Sequence, residues 1–126
     1  NGYSIDQNLL NAPKPLEEQV RAQVKEARWR MVLNSLVICL FARGVYDEEI
    51  ILQGLDAIGA EWDAGKLREL AAKALLRKHE WKRLCGFDPA ALVVPEKMYT
   101  VQTSTGMIDK ESLQQRIHLY LEEIRR

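Results

Sequence analysis

MVLNSLVICLFARG, residues 31–44, carries ten apolar residues among its first twelve, and they do not keep to one side of a helix. Upstream, Val20, Val24, Ala27, Met31, Ser35, Ile38 and Ala42 fall on one stripe at helical spacing. Pro15 suits a first helical turn, and the Leu-Glu-Glu-Gln after it brings carboxylates to the positive end. With Gly44 as a natural stop, the pattern predicts one long helix over roughly residues 15–43. Its second half is apolar all round, and such a helix wants cover on every side.

Leaving half a dozen such side chains in water would forgo roughly 1.5–3 kcal/mol each, a sum comparable with the whole stability of a typical domain. Three further helices cannot supply all of that cover. A partner surface is therefore expected, in the same parent chain or in another subunit. Asn34 and Ser35, buried in such a wall, need hydrogen bonds, since an unsatisfied amide or hydroxyl costs roughly 1–3 kcal/mol. Serine can bond back to its own helix. Asparagine cannot satisfy its whole bonding capacity that way and points to a neighbouring backbone or a bound ligand. Cys39, taken alone, reads as an inert core residue, because free cysteine packs as a small hydrophobe.

The rest of the chain is built from shorter amphipathic pieces. Asp47 reads as the cap of a second helix through Ile50, Ile51, Leu55 and Ile58, with Gly59 closing it. Asp63 caps a third, with Leu67, Leu70, Ala71, Ala74 and Leu75 as its buried face, Glu69 and Lys73 as an i,i+4 pair and Gly86 as its end. Residues 87–108 hold two prolines, β-branched residues and a Ser-Thr-Gly turn signal, which predicts an extended arm with room for one short strand. Asp109 then caps a last helix through Leu113, Ile117, Tyr120, Leu121 and Ile124. The expected fold is all-α: about four helices with an extended arm before the last, an irregular lead-in over residues 1–14 and one helical domain over 15–126.

The 126 residues are 47% hydrophobic, and 18 basic side chains balance 18 acidic ones. No general field draws such a chain to nucleic acid or to an anionic membrane, and no apolar run approaches the roughly 20 residues of a membrane-spanning helix. Two cysteines and two histidines are too few and too scattered for a paired-spacing zinc site or a secreted disulfide scaffold, so a cytoplasmic protein is expected, a piece of a longer chain. Cys85 reads as structural and RKHEWKR, residues 77–83, as a solvated helix face rather than a nucleic-acid patch. His79 and His118 read as surface residues without carboxylate neighbours at ligand spacing. The acids at 47–49 and at 122–123 read as cap and solvent face. No Gly-rich phosphate loop or nucleophile elbow is present.

Four features in order carry a resemblance: the apolar segment ending in Cys-x-Phe, the Tyr-x-x-x-x-Ile-x-x-x-Leu helix ending in AIGAEW, the GFDPAALVVPEKM arm, and TGMIDKESL leading into the last helix. Each is weak alone. In this order, over roughly residues 29–124, the chain resembles the C-terminal domain of the tungsten-containing aldehyde ferredoxin oxidoreductases. The resemblance implies that Cys39 is the last of four thiolates holding a [4Fe–4S] cluster, the other three coming from an upstream Cys-x-x-Cys-x-x-x-Cys stretch that this sequence does not contain. It further implies that NSLVIC, with Asn34, Val37, Ile38 and Cys39, contacts the tungsten (or molybdenum) bis-pyranopterin.

The family form of that motif is Asp-x-x-Gly-x-Cys; here Asn34 stands for the acid and Val37 for the glycine. Asparagine keeps an acceptor oxygen but loses the charge that strengthens its bond to a pterin N–H. Valine resists both the close approach and the positive φ that glycine allows, so the substitution bears on the loop geometry, and on the pterin contact more than on the iron contact. The implied partners are the remaining N-terminal domains of the same enzyme, ferredoxin and an aldehyde. The implied reaction is aldehyde to carboxylic acid, inactive in the 126-residue chain alone. The buried wall would then be one side of a cofactor chamber. Two other readings are a helical protein-interaction module with a buried structural Cys39 and no cofactor, and a cofactor-free structural descendant.

Overall fold

The structure is a computed structural model, and it describes residues 14–42, 44–102 and 106–126. The lead-in over residues 1–13 lies outside the described residues. Among those described, the protein is all-α, with helices α1 (Leu16–Ser35), α2 (Glu48–Ala57), α3 (Ala64–Leu84), α4 (Lys97–Thr100) and α5 (Lys110–Glu123), and 3-10 turns at Leu40–Ala42 and Pro89–Ala91. None of these helices is long and apolar enough to cross a membrane.

The described residues fall into two compact units: those within 25–79 form one, and 14–24 with those of 80–126 form the other. The continuous unit holds the end of α1, the first 3-10 turn, α2 and most of α3. Its core is Val32, Ile51, Leu67 and Ala71, with Trp29, Ile38, Tyr46, Leu52 and Leu55 packed against it. Leu33 and Leu75 are also buried. Asp47 caps α2 by accepting from the amide of Ile50 at 2.9 Å, and Asp63 caps α3 by accepting from Lys66 at 2.8 Å. A paired bridge joins the two helices: Arg68 Nη2 and Nε donate to the two oxygens of Glu48 at 2.6 and 2.8 Å, and this pairing holds the Arg68 guanidinium above its usual pKa. Ile50, Ile58 and Leu70, expected on apolar faces, are exposed, Ile58 at 78%, because the apolar stripes of α2 and α3 are narrower than the sequence pattern.

The discontinuous unit gathers the start of α1, the end of α3, the arm and α5. The amide of Gln19 donates to the Pro15 carbonyl at 3.1 Å, so Pro15 stands just before the first turn, where its missing donor costs nothing. Val20, Val24 and Ile124 are buried, and Arg116 Nη2 donates to Gln19 Oε1 at 2.7 Å across 97 residues of sequence. Asp109 caps α5 by accepting from the amide of Ser112 at 2.7 Å. The arm is extended only in part. It carries the Pro89–Ala91 turn, which lies against α5, and the single-turn α4, with no strand among its described residues. Lys110 ties it to α5: its Nζ lies 3.3 Å from Glu96 Oε1 and 5.5 Å from the centroid of the Tyr99 ring.

Helix α1 corrects the sequence reading. It ends at Ser35, well short of Gly44, so Leu36 through Ala42 are not helical wall but an exit turn and then a 3-10 turn. Leu36, Val37 and Phe41 are exposed, Val37 at 91% and Phe41 at 94%. The physical reason lies in the backbone at the exit.

Candidate functional site

Helix α1 closes in a Schellman motif: the amide of Val37 donates to the Asn34 carbonyl at 3.1 Å and that of Ile38 to the Leu33 carbonyl at 2.9 Å. The motif requires its penultimate donor to lie in the left-handed region, and Val37 does so with φ +57°. A β-branched residue resists this geometry. The chain adopts it all the same, because two backbone bonds and the docking of Ile38 against the Val32–Ile51 core over-determine the turn.

The same pair of bonds closes α2 and α3. There Gly59 and Gly86 take the left-handed position, at φ +76° and +84°, with Ala60 N to Leu55 O at 2.9 Å and Phe87 N to Lys82 O at 3.0 Å as the longer-range bonds. Three helices thus end alike, two through glycine and one through valine.

The turn sends successive side chains in different directions. Ile38 packs on the core and Cys39, next along the chain, is exposed, its carbonyl accepting from Ala42 to start the 3-10 turn. Asn34 is exposed as well, and so is Ser35, whose hydroxyl donates to the Met31 carbonyl at 2.8 Å as a helical serine can. The expectation that Asn34, Ser35 and Cys39 sit sealed inside an apolar wall is therefore corrected for this chain: with α1 stopped at Ser35, Val32 and Ile38 serve the unit's core and the three polar residues are exposed. Asn34, Val37, Ile38 and Cys39 do fall together, within one six-residue exit turn.

A family model described as "Aldehyde ferredoxin oxidoreductase, domains 2 & 3" matches residues 2–125. The chain belongs to the aldehyde ferredoxin oxidoreductase family. No curated protein and no solved structure matches it. As a member of this family the chain is an oxidoreductase domain, one part of a multi-domain enzyme.

The donor set bears on the family's cofactors. Among the described residues no three His, Cys, Asp or Glu side chains gather into a metal site. What the exit turn offers is a single accessible thiol, which suits one corner of a cluster held by four thiolates and could not hold a cluster alone. The exposed Asn34 amide offers an acceptor and two donors to a pterin edge. The left-handed backbone at Val37 keeps the bend that a glycine there would give. The residues present fit a contributing role.

Elsewhere, Cys85 is exposed at the end of α3 rather than packed. His118 does have an acidic neighbour, with Nε2 3.1 Å from Glu122 Oε1 one turn on; the i,i+4 spacing was the signal for it. The early helix exit also had a signal: two polar residues and then the β-branched Val37 and Ile38 make a poor continuation of a helix.

Proposed function

We propose that this chain supplies one cluster thiolate and part of the pterin-contacting surface to an aldehyde ferredoxin oxidoreductase that converts aldehydes to carboxylic acids and passes the electrons to ferredoxin. Cys39 completes a [4Fe–4S] cluster whose other three thiolates belong to upstream parts of the enzyme, and Asn34, Val37 and Ile38 line the pterin. When bound, the tungsten or molybdenum pterin supplies the two-electron oxidation of aldehyde plus water to acid, and the cluster the subsequent one-electron steps. This chain's residues bind and orient: Ile38 anchors the turn on the core, Val37 bends it, and Cys39 is presented outward. The remaining domains of the same enzyme cover the exposed Phe41 and Val45, which would otherwise leave apolar area in water. Thiolate ligation of this kind suits the reducing cytoplasm.

The observation that carries the reading is the family match over residues 2–125, which spans the Asn34–Cys39 motif; the exposure of Cys39 runs against a sealed thiol and leaves its cover to other parts of the enzyme. The test is iron content in the full-length enzyme. Cys39→Ala should lose cluster iron and the cluster's electron paramagnetic resonance signal, while full iron in that variant removes Cys39 from the ligand set. The exposed apolar residues also favour a second reading, a plain protein-docking module, and unchanged iron would select it.

A further inference from the structure

Helix α3 closes with RKHEWKRL, residues 77–84, where four cations, Arg77, Lys78, Lys82 and Arg83, stand with one carboxylate, Glu80, in a chain of zero net charge. All four are exposed, and among the described residues none of them forms an ion pair. Earlier in the chain a carboxylate stands one helical turn before its cation, as Glu26 does for Arg30 and Glu69 for Lys73. Here the residue one turn before Lys82 is Lys78, and like charges at that spacing repel. Trp81, one turn after Arg77 and so on the same side of the helix, is 63% exposed, and Leu84, three residues on, is 81% exposed. Lys82 Nζ lies 5.4 Å from the centroid of the Phe87 ring, itself exposed. Cations in a last helical turn answer the negative end of the dipole, which accounts for Lys82 and Arg83. It accounts neither for the earlier Arg77 and Lys78 nor for an indole left in water.

We propose that this end of α3 docks a carboxylate-rich face of the electron-accepting protein, so that the chain receives ferredoxin as well as holding the cluster. This rests on the electron transfer to ferredoxin proposed above. The four cations fix the sign of the partner's surface. Permanent interfaces are apolar at their centres and poor in lysine. Cations around one indole suit a brief contact steered by long-range attraction, and electron-transfer complexes are of that class. Tryptophan and arginine are also the residue types that most often anchor protein contacts. Single-stranded nucleic acid, another polyanion, stacks on successive aromatics, and residues 77–84 hold one.

The test assays aldehyde oxidation by the full-length enzyme with ferredoxin as acceptor and, separately, with benzyl viologen, a small dye that needs no docking surface. Lys78→Glu combined with Lys82→Glu should raise the KM for ferredoxin roughly ten-fold, with kcat and the dye rate at wild-type levels. Trp81→Ala should raise the same KM. In wild type that KM should rise with salt, and the dependence should flatten in the double reversal. Lys78→Arg with Lys82→Arg should match wild type, as should a reversal at the exposed Lys25 of α1. A KM and salt dependence unmoved by the double reversal and by Trp81→Ala, in an enzyme that still reduces ferredoxin, overturn this proposal and leave the electron-transfer reading standing. A joint fall of dye rate and iron content in the double reversal overturns it in favour of contact with another domain of the enzyme. A single-stranded oligonucleotide bound by wild type and not by the double reversal, with the ferredoxin KM unmoved, overturns it in favour of nucleic acid. A wild-type enzyme that reduces the dye but never ferredoxin overturns both the docking and the electron-transfer reading.

Discussion

The amide of Ile38 donates to the carbonyl of Leu33 at 2.9 Å, and this bond turns the chain out of α1 one residue after a valine at φ +57°. Leu33 is fully buried and Ile38 packs on the core of the same unit, so the bond joins two anchored residues and the residue between them must comply. The strain at Val37 is a consequence of where its neighbours are fixed.

Left-handed backbone costs an L-residue roughly 1–2 kcal/mol, and the looser unfolded chain of a glycine variant returns about 0.4–1 of that. Val37→Gly should therefore stabilise the 126-residue chain by about 1 kcal/mol, read as a higher urea midpoint with unchanged slope. The reciprocal change isolates the backbone term. A Cβ at Gly59 would meet nothing within 4 Å, so Gly59→Ala should destabilise by about 1–2 kcal/mol through the backbone alone.

Asp47 accepts from the Ile50 amide at the start of α2. Asp47→Ala removes that cap and should cost about 1 kcal/mol, lowering the melting temperature by about 4 °C, whereas Asp47→Ser or Asp47→Asn should retain most of it.

Leu33 and Val24 are buried in different units, at 0% and 1% exposure. Leu33→Ala opens a cavity and should cost about 2–5 kcal/mol. Val24→Ala removes less volume and should cost less. Amide hydrogen exchange distinguishes the sites: Leu33→Ala should weaken protection first in residues 25–79, and Val24→Ala first in α5.

The Asp109 carboxyl is held below the usual carboxylate range, chiefly by the bond from the Ser112 amide. A lowered folded pKa contributes stability above the unfolded value, about 3.9, and loses it as pH falls through the folded value. Asp109→Asn keeps a neutral cap without this titration. Wild type should melt above the variant at about pH 6, and the gap should narrow as pH falls below the unfolded value of about 3.9.

What the sequence made legible was side-chain chemistry at helix starts. Asp47, Asp63 and Asp109 each stand where a carboxylate must catch a free amide, and all three do. Gly59 and Gly86 are readable as stops because glycine is the cheap occupant of a left-handed turn. The exit of α1 is only faintly signalled, by two polar residues and two β-branched ones, because Val37 occupies the left-handed position in defiance of its propensity and tertiary anchoring decides the turn. Extending α1 to Gly44 would bury Cys39 in a helical wall; the structure exposes it. The motif Asn34–Cys39 is recognisable through its order in the chain, and only the backbone shows how the residues share one turn.

The hydrogen bond from Arg116 to Gln19 closes a unit whose two portions lie on either side of residues 25–79 in the chain. During synthesis the middle portion emerges before the last helix, and its apolar cluster is drawn wholly from its own residues. Val20 and Val24 must wait until the final helix emerges, so a stalled or clipped product would hold one finished half and one with its valines still in water.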